Sequence, residues 1–397
     1  MMTNRSFFFA ICMFITFLLT SSCNHQQGEK APENTFQYSI DLLNNMSFPS
    51  KNFDDLFIWE EIIPLKFDDE TVLGEISKVI KTNTNYYVFD RKTQSLFSFD
   101  LNGTCIKQFG DKGHGPGEYI HIDDFLVDND NNELVLLGNE GRAGIYFYDL
   151  NTADFLRKLS INIFPLSFTK VNDSFLVYTS KNPSEEIMHD IFLISKTGEV
   201  LKRYMPYDID IPVISIQSGF LKNSVNHTFY APPYYEDIYK FDEQKMTFTP
   251  YMHAGINNKY IEENKNEPIK IFRSAAAMDE STSFLMSWFE TNDINTLLTF
   301  HKNKEIGMII YNHSRQDYSY IAAESLDHDL RYRILNIFNP HTLIEANNLI
   351  FSINPESIEK EKNNIHNFNS NSAYKKAAKN IHFDNNDIHH LAIIKVK

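Results

Sequence analysis

A short unit recurs along this chain at nearly constant spacing, and that period restricts the fold more than any other feature of the sequence. Leu96-Phe97-Ser98-Phe99-Asp100-Leu101-Asn102-Gly103 is followed by Ile145-Tyr146-Phe147-Tyr148-Asp149-Leu150-Asn151, then by Ile191-Phe192-Leu193-Ile194-Ser195-Lys196-Thr197-Gly198 and Ile238-Tyr239-Lys240-Phe241-Asp242. The units begin at 96, 145, 191 and 238, which places them 49, 46 and 47 residues apart. Each is a run of β-branched and aromatic residues closed by polar turn formers, as in a strand that runs into a hairpin. A period of roughly 40–50 residues is that of a blade of four antiparallel strands. Weaker copies follow, Leu297-Leu298-Thr299-Phe300 after 59 residues and the terminal Leu391-Ala392-Ile393-Ile394-Lys395-Val396 after another 94. Six units predict an all-β, six-bladed β-propeller.

Within one period the strands are expected at 78–80, 86–90, 96–100 and 104–109, joined by turns at Asn83, Asn85, 91–94 and Asn102-Gly103. A ring of blades has to close, because an open edge strand templates aggregation. Phe57-Ile58-Trp59-Glu60-Glu61-Ile62-Ile63-Pro64-Leu65 precedes the first full period and is expected to be a clasp, the outer strand of the last blade. The propeller domain is then 53–397, with a partly helical insertion around 356–384 that holds the helix candidate Ser372-Ala373-Tyr374-Lys375-Lys376-Ala377-Ala378-Lys379.

The first 22 residues do not fit this pattern. One cation, Arg5, precedes an apolar run over 7–19, the length of a signal-peptide core. Leu19-Thr20-Ser21-Ser22-Cys23 resembles the lipobox of bacterial lipoproteins, a resemblance that implies cleavage after residue 22 and acylation of Cys23. The alternative is an ordinary secretory signal followed by a chance cysteine. Residues 23–52 read as a lipid-anchored tether, polar over 24–33. Of three cysteines, Cys12 leaves with the signal and Cys23 takes the lipid, so Cys105 has no partner for an internal disulfide.

Val88-Phe89-Asp90-Arg91, the unit at 96–103, Phe109-Gly110-Asp111-Lys112-Gly113-His114-Gly115-Pro116-Gly117-Glu118-Tyr119 and Asp124-Phe125-Leu126-Val127-Asp128 follow one another here. In that succession, and over most of the mature chain, the sequence resembles the six-bladed β-propeller lipoproteins of Gram-negative gut anaerobes, relatives of NHL-type propellers. It departs near its end, where Asp384, Asn385 and Asn386 lack the family's usual Asn-Pro and Ile388-His389-His390 follows. The resemblance implies a cell-envelope location, lipid-anchored to a bacterial membrane, the outer membrane in particular, facing periplasm or surface. It implies no defined reaction.

The residues carry no recognisable catalytic spacing. The glycines at 110, 113, 115 and 117 match neither GxGxxG nor GxxxxGK[ST], and read as the turn from one blade into the next. Asp128-Asn129-Asp130-Asn131-Asn132-Glu133 begins like a calcium loop but lacks the required glycine and terminal Glu, so a hairpin turn is expected there. Neither a metal site, a cofactor nor a GxSxG nucleophile elbow can be assigned. With 37 Lys and Arg against 52 Asp and Glu, the formal charge is -15, becoming -16 when Arg5 is removed, which argues against nucleic-acid partners.

What is left is the central funnel, where inner strands turn polar residues to water or ligand. Glu75 with Lys78, His121 with Asp123, Ser215 with Gln217, Arg273, and Arg331 with Arg333 are expected on inner strands. Glu75, His121, Asp123, Gln217, Arg273 and Arg333 are the candidate ligand-binding residues, no catalytic residue is assigned, and the two arginines favour an anionic or polyhydroxyl ligand. The competing reading is that these groups bond one another and channel water. Two functions follow: a non-enzymatic binding or scaffold protein for a glycan, peptide or partner protein, or a propeller enzyme, lactonase-like hydrolase or lyase, with a metal ion in the funnel.

Overall fold

The computed structural model describes residues 35–41, 50–68, 70–139, 143–180, 188–207, 220–222, 227–232, 236–256, 259–291, 295–302, 305–326, 343–345, 348–367 and 388–397. Among these, the strands form six sheets in which chain neighbours pair antiparallel. Blade 1 is Ile76–Lys81, Asn85–Asp90, Ser95–Asp100 and Cys105–Gln108. Blade 2 is His121–Asp128, Glu133–Asn139, Ala143–Asp149 and Phe155–Ser160. Blade 3 is Ser167–Val171, Ser174–Tyr178, His189–Ile194 and Val200–Pro206. Blade 4 is Phe220–Lys222, Thr228–Tyr230, Asp237–Asp242 and Thr247–Gly255. Blade 5 is Phe284–Thr291, Asn295–Lys302, Glu305–Asn312 and Asp317–Ala322. Blade 6 takes Leu343–Glu345, Asn348–Ile353 and His390–Val396 from the end of the chain and Phe57–Pro64 from its beginning.

The clasp therefore forms as expected. Phe57 pairs with Val396, Ile62 with Ala392 and Pro64 with His390, antiparallel throughout. First strands of neighbouring blades touch at 2–3, 3–4, 5–6 and 6–1, so they form the inner ring and the circle closes through blade 6.

Period-two side-chain alternation explains why the strands read as apolar runs. In Glu133–Asn139, Leu134 and Leu136 pack in the cluster shared with blade 1, while Val135 and Leu137 pack in the one shared with blade 3. Each blade is thus apolar on both faces, and one hydrophobic cluster fills each of the six blade interfaces. Fully burying a large apolar side chain stabilises by about 1.5–3 kcal/mol, so these interfaces dominate the cohesion of the ring.

The repeated Asp of the sequence period is a turn cap at the end of the third strand. Asp100 Oδ1 accepts the N–H groups of Asn102 and Thr104, and Asp149 Oδ1 those of Asn151 and Thr152. Asp242 accepts Gln244 and Lys245, and in blade 3 the Ser195 hydroxyl takes the role toward Thr197 and Glu199. Blade 5 uses Asn312, which accepts the Arg315 N–H. Residues 297–300 are consequently not the fifth copy of the unit: they lie in the second strand of blade 5, and Glu305–Asn312 is the third. Both strands are almost wholly buried, so apolarity alone does not tell them apart.

Among the described residues the late insertion begins with a helix, Pro355–Asn367, and the candidate at 372–379 lies outside them. Part of the span expected as a tether packs on the ring: Tyr38–Asp41 pairs in parallel with Met252 to Gly255 on the outer edge of blade 4, and Ser50 and Lys51 bond to Ala322 and Tyr320 on the outer strand of blade 5. The N-terminal segment thus passes blades 4 and 5 before it becomes the clasp of blade 6. Residues 1–22 and Cys23 lie outside the described residues, among which no helix is long and apolar enough to cross a membrane.

Candidate functional site

The inner strands of blades 1, 2 and 5 share one irregularity. Pairing with the second strand slips between Ile76 and Lys78, between Ile122 and Asp124, and between Leu285 and Ser287. Each slip is a β-bulge two or three residues into the strand, centred on Ser77, Asp123 and Met286, at the end where the chain enters the blade. Bulges re-aim side chains, and they collect at rims and sites. This end of the ring is the channel mouth.

Beyond the bulges, the inner strands bond to one another. Lys78 of blade 1 donates to Asp124 Oδ1 of blade 2 at 2.6 Å and to the Phe125 carbonyl at 2.7 Å. Asp124 Oδ2 accepts the Phe168 N–H of blade 3, so one buried carboxylate joins three blades. Lys170 of blade 3 pairs with Asp128 of blade 2. Burial opposes ionisation of Asp128, but hydrogen bonds from Lys170 and Asn131 outweigh it and hold the carboxyl below its ordinary range. The Asp128–Glu133 turn is the expected hairpin, with Asn131 Nδ2 donating to Asp128. Asp124, Asp128 and Lys170 were not among the expected site residues, although each pairs with a residue close to one repeat period away, 46 residues for Lys78 and Asp124 and 42 for Asp128 and Lys170.

The expected funnel residues divide accordingly. Glu75 precedes the inner strand of blade 1 and bonds Arg91 Nη2 at 2.5 Å, both side chains about half exposed. His121 opens the inner strand of blade 2; its Nε2 lies 3.4 Å from Asp123 Oδ1, with the imidazole 49% exposed and the carboxylate 18%. The turn after Arg91 also reaches blade 2, where Gln94 accepts the Ile122 N–H. Arg273 is not on an inner strand. It is exposed on the helix Pro268–Ala276, which starts with Pro at its first turn and buries Ile271 and Ala275 against Phe284 of blade 5. A helical stretch inside the connection from blade 4 to blade 5 displaces the expected strand. Ser215, Gln217, Arg331 and Arg333 lie outside the described residues.

The glycine-rich connection into blade 2 is anchored by hydrogen bonds. Gly117 has φ +80, its carbonyl accepts the Tyr148 hydroxyl at 2.7 Å, and a Cβ there would fall 2.5 Å from the Phe155 ring. Gly115 N–H donates to Glu118. These bonds set the entry of His121 into the ring. No group of three or more His, Cys, Asp or Glu among the described residues is arranged to hold a metal ion.

The fold defines a closed six-bladed β-propeller in which the inner strands of blades 1 to 3 are cross-bonded and, among the described residues, half-exposed polar groups stand at the entry to blades 1 and 2. The chain belongs to the family described as a domain of unknown function, DUF4934, which it matches over residues 37–393. A Bacteroides fragilis protein described as exported has a similar structure, with a TM-score of 0.70 at 14% identity over 91% of this chain and 99% of that one. A member of the DUF4221 family from Bacteroides vulgatus is similar with a TM-score of 0.53 at 11% identity over 86% and 98%. No curated protein matches the sequence.

Proposed function

We propose that the protein is an exported, lipid-anchored propeller, akin to NHL-type propellers, that binds a polyhydroxylated ligand, a glycan, at the mouth between blades 1 and 2. The observation that carries this reading is the division of labour among the inner polar residues. Lys78, Asp124, Asp128 and Lys170 bond across blades, whereas the His121 imidazole, 49% exposed, stands at the start of the inner strand of blade 2 beside the bulged Asp123. An imidazole and a carboxylate side by side offer a donor and acceptors suited to neighbouring hydroxyls. Displacement of Arg273 from the funnel removes one of the two forks on which an anionic ligand was expected to rest, and the net charge of -15 gives a polyanion no long-range attraction. The lipobox-like Leu19-Thr20-Ser21-Ser22-Cys23 supports acylation at Cys23 as the anchor, and the similarity to a Bacteroides protein described as exported is in keeping with a cell-envelope location.

The test is a glycan and peptide array probed with the wild type and with a His121→Ala, Asp123→Ala double variant. Glycan binders that lose at least about tenfold affinity in the variant, as loss of a charged hydrogen-bonding pair entails, support the mouth as the site. Glycan binders retained at full affinity, or only peptide binders, overturn it.

A further inference from the structure

The segment 36–41 lies across two histidines. Phe36 sits with its ring 5.6 Å from that of His253, and Tyr38 meets His313 edge-on at 4.4 Å. Ile40 is buried in the cluster between blades 4 and 5, and Tyr38 is half-buried against it. The seat is a four-residue parallel pairing, a weaker ladder per residue than the antiparallel ones of the blades.

His253 belongs to the outer strand of blade 4, directly opposite Ser39 of this segment. Its Nδ1 is 2.7 Å from Asp237 Oδ1 and its Nε2 is 3.5 Å from Glu236 Oε2, and Asp41 adds a third carboxylate from the segment itself. Tyr239 also faces this group, reaching Asp237 at 3.5 Å; burial and the Asp237 charge push its phenol up to about 12, so it stays neutral in the range that matters. The hydrogen bond to Asp237 raises the proton affinity of His253 against the opposing effect of burial, and the charges of Asp237, Glu236 and Asp41 add to it. His313 has a different role: Glu290 at 3.0 Å and Thr296 at 2.9 Å hold its Nε2, and Tyr251, Tyr311 and Tyr38 surround the ring, making a fixed seat for Tyr38.

We propose that residues 36–41 form a histidine-latched strap, docked on blade 4 while His253 is protonated and loosened when His253 is neutral. Docking brings the Asp41 carboxylate to the imidazolium, and by linkage whatever favours the proton when docked is itself favoured by the proton. Asp237 and Glu236 belong to blade 4 and face His253 whether or not the strap is seated, so the coupling is carried by Asp41; the latch tightens as pH falls through the His253 titration and is lost as pH rises through it. Residues 50 and 51 stay bonded to blade 5, so release frees 36–41, or about 20 Å of extended chain. On the lipid-anchor reading, this lengthens the tether. The latch itself does not depend on an anchor.

The test uses the full chain in two measurements. Histidine ring signals are titrated by NMR in the wild type, Asp41→Asn and Ile40→Asp, with His253 identified by its absence in His253→Gln. Amide exchange is followed by mass spectrometry over 36–41 at pH 6 and pH 8.5, corrected for intrinsic rates. Expected are a lowered His253 titration in both strap variants, and protection of the strap that falls by about fivefold or more at the higher pH in the wild type but not in His253→Gln. Unchanged exchange over Asp237–Asp242 verifies that blade 4 remains folded in each variant. An identical His253 titration in all three proteins, or strap protection that does not change across it, overturns the latch.

Discussion

At the scale of single residues, the ion pairs Lys78–Asp124 and Lys170–Asp128 join neighbouring blades. Asp128 shows how such a contact is read in solution. Its depressed ionisation gives stability that is complete above the ordinary carboxylate value of about 3.9 and is lost as pH falls through the lowered folded value. Asp128→Asn should therefore cost about 1–3 kcal/mol at pH 7, as for a lost hydrogen bond to a charged group, and the gap to the wild type should close below about pH 4. Urea unfolding at pH 7 and pH 3.5 measures both; an equal gap at the two values contradicts the assignment. Site residues were legible only in part at this scale. His121 and Asp123 do stand at an inner-strand start, but Lys78 and Glu75 have partners that local pattern does not reveal. Those of Lys78 and Asp128 lie near one repeat away, so aligning successive periods and seeking opposite charges at matched positions would have found them.

Elements explain why the period was readable in the third strands of blades 1 to 4 and faint in the other strands. The third strands of blades 1 to 5 end in a side-chain-capped turn, and the capping Asp, Ser or Asn recurs because the hairpin needs an acceptor there. First strands have no such fixed requirement: they carry lysine, aspartate, serine or tryptophan as each position around the channel demands, so Arg273 could be mistaken for one of them. The clasp was legible because Trp59, Ile62 and Ile63 form an apolar run with no sheet of its own nearby in sequence. In the folded ring Trp59 and Ile62 pack between blades 5 and 6, and Ile63 between blades 6 and 1. A chain ending before Leu391 removes the strand between the clasp and Asn348–Ile353, and with it five buried residues, Leu391, Ala392, Ile393, Ile394 and Val396. It should lose most of the cooperative transition or associate through the exposed edge. Calorimetry and sedimentation check this; a monomer with an unchanged melting temperature contradicts the pairing.

At the scale of the whole molecule, the six interface clusters leave no blade with an independent core, since each cluster draws on two neighbours. Stability and closure are then one property, and a rigid ring is what lets a shallow polar mouth hold its groups in place. Attachment is separable from folding. On the anchored reading, Cys23→Ser should leave the propeller folded but released from membranes after a salt and carbonate wash; fractionation that still finds the variant with membranes argues against Cys23 as the anchor.

The closed ring can be read out by the chain's two tryptophans. Trp59 is buried in the clasp and Trp288 lies on the inner strand of blade 5. In a Trp288→Phe variant, fluorescence reports the clasp alone, while far-ultraviolet circular dichroism reports every blade. If the clasp is integral to one cooperative ring, the two signals follow a single urea transition with the same midpoint. A Trp59 signal that changes at lower urea than the dichroism would mean that the clasp opens while the blades stay folded, and would contradict closure as the source of the ring's stability.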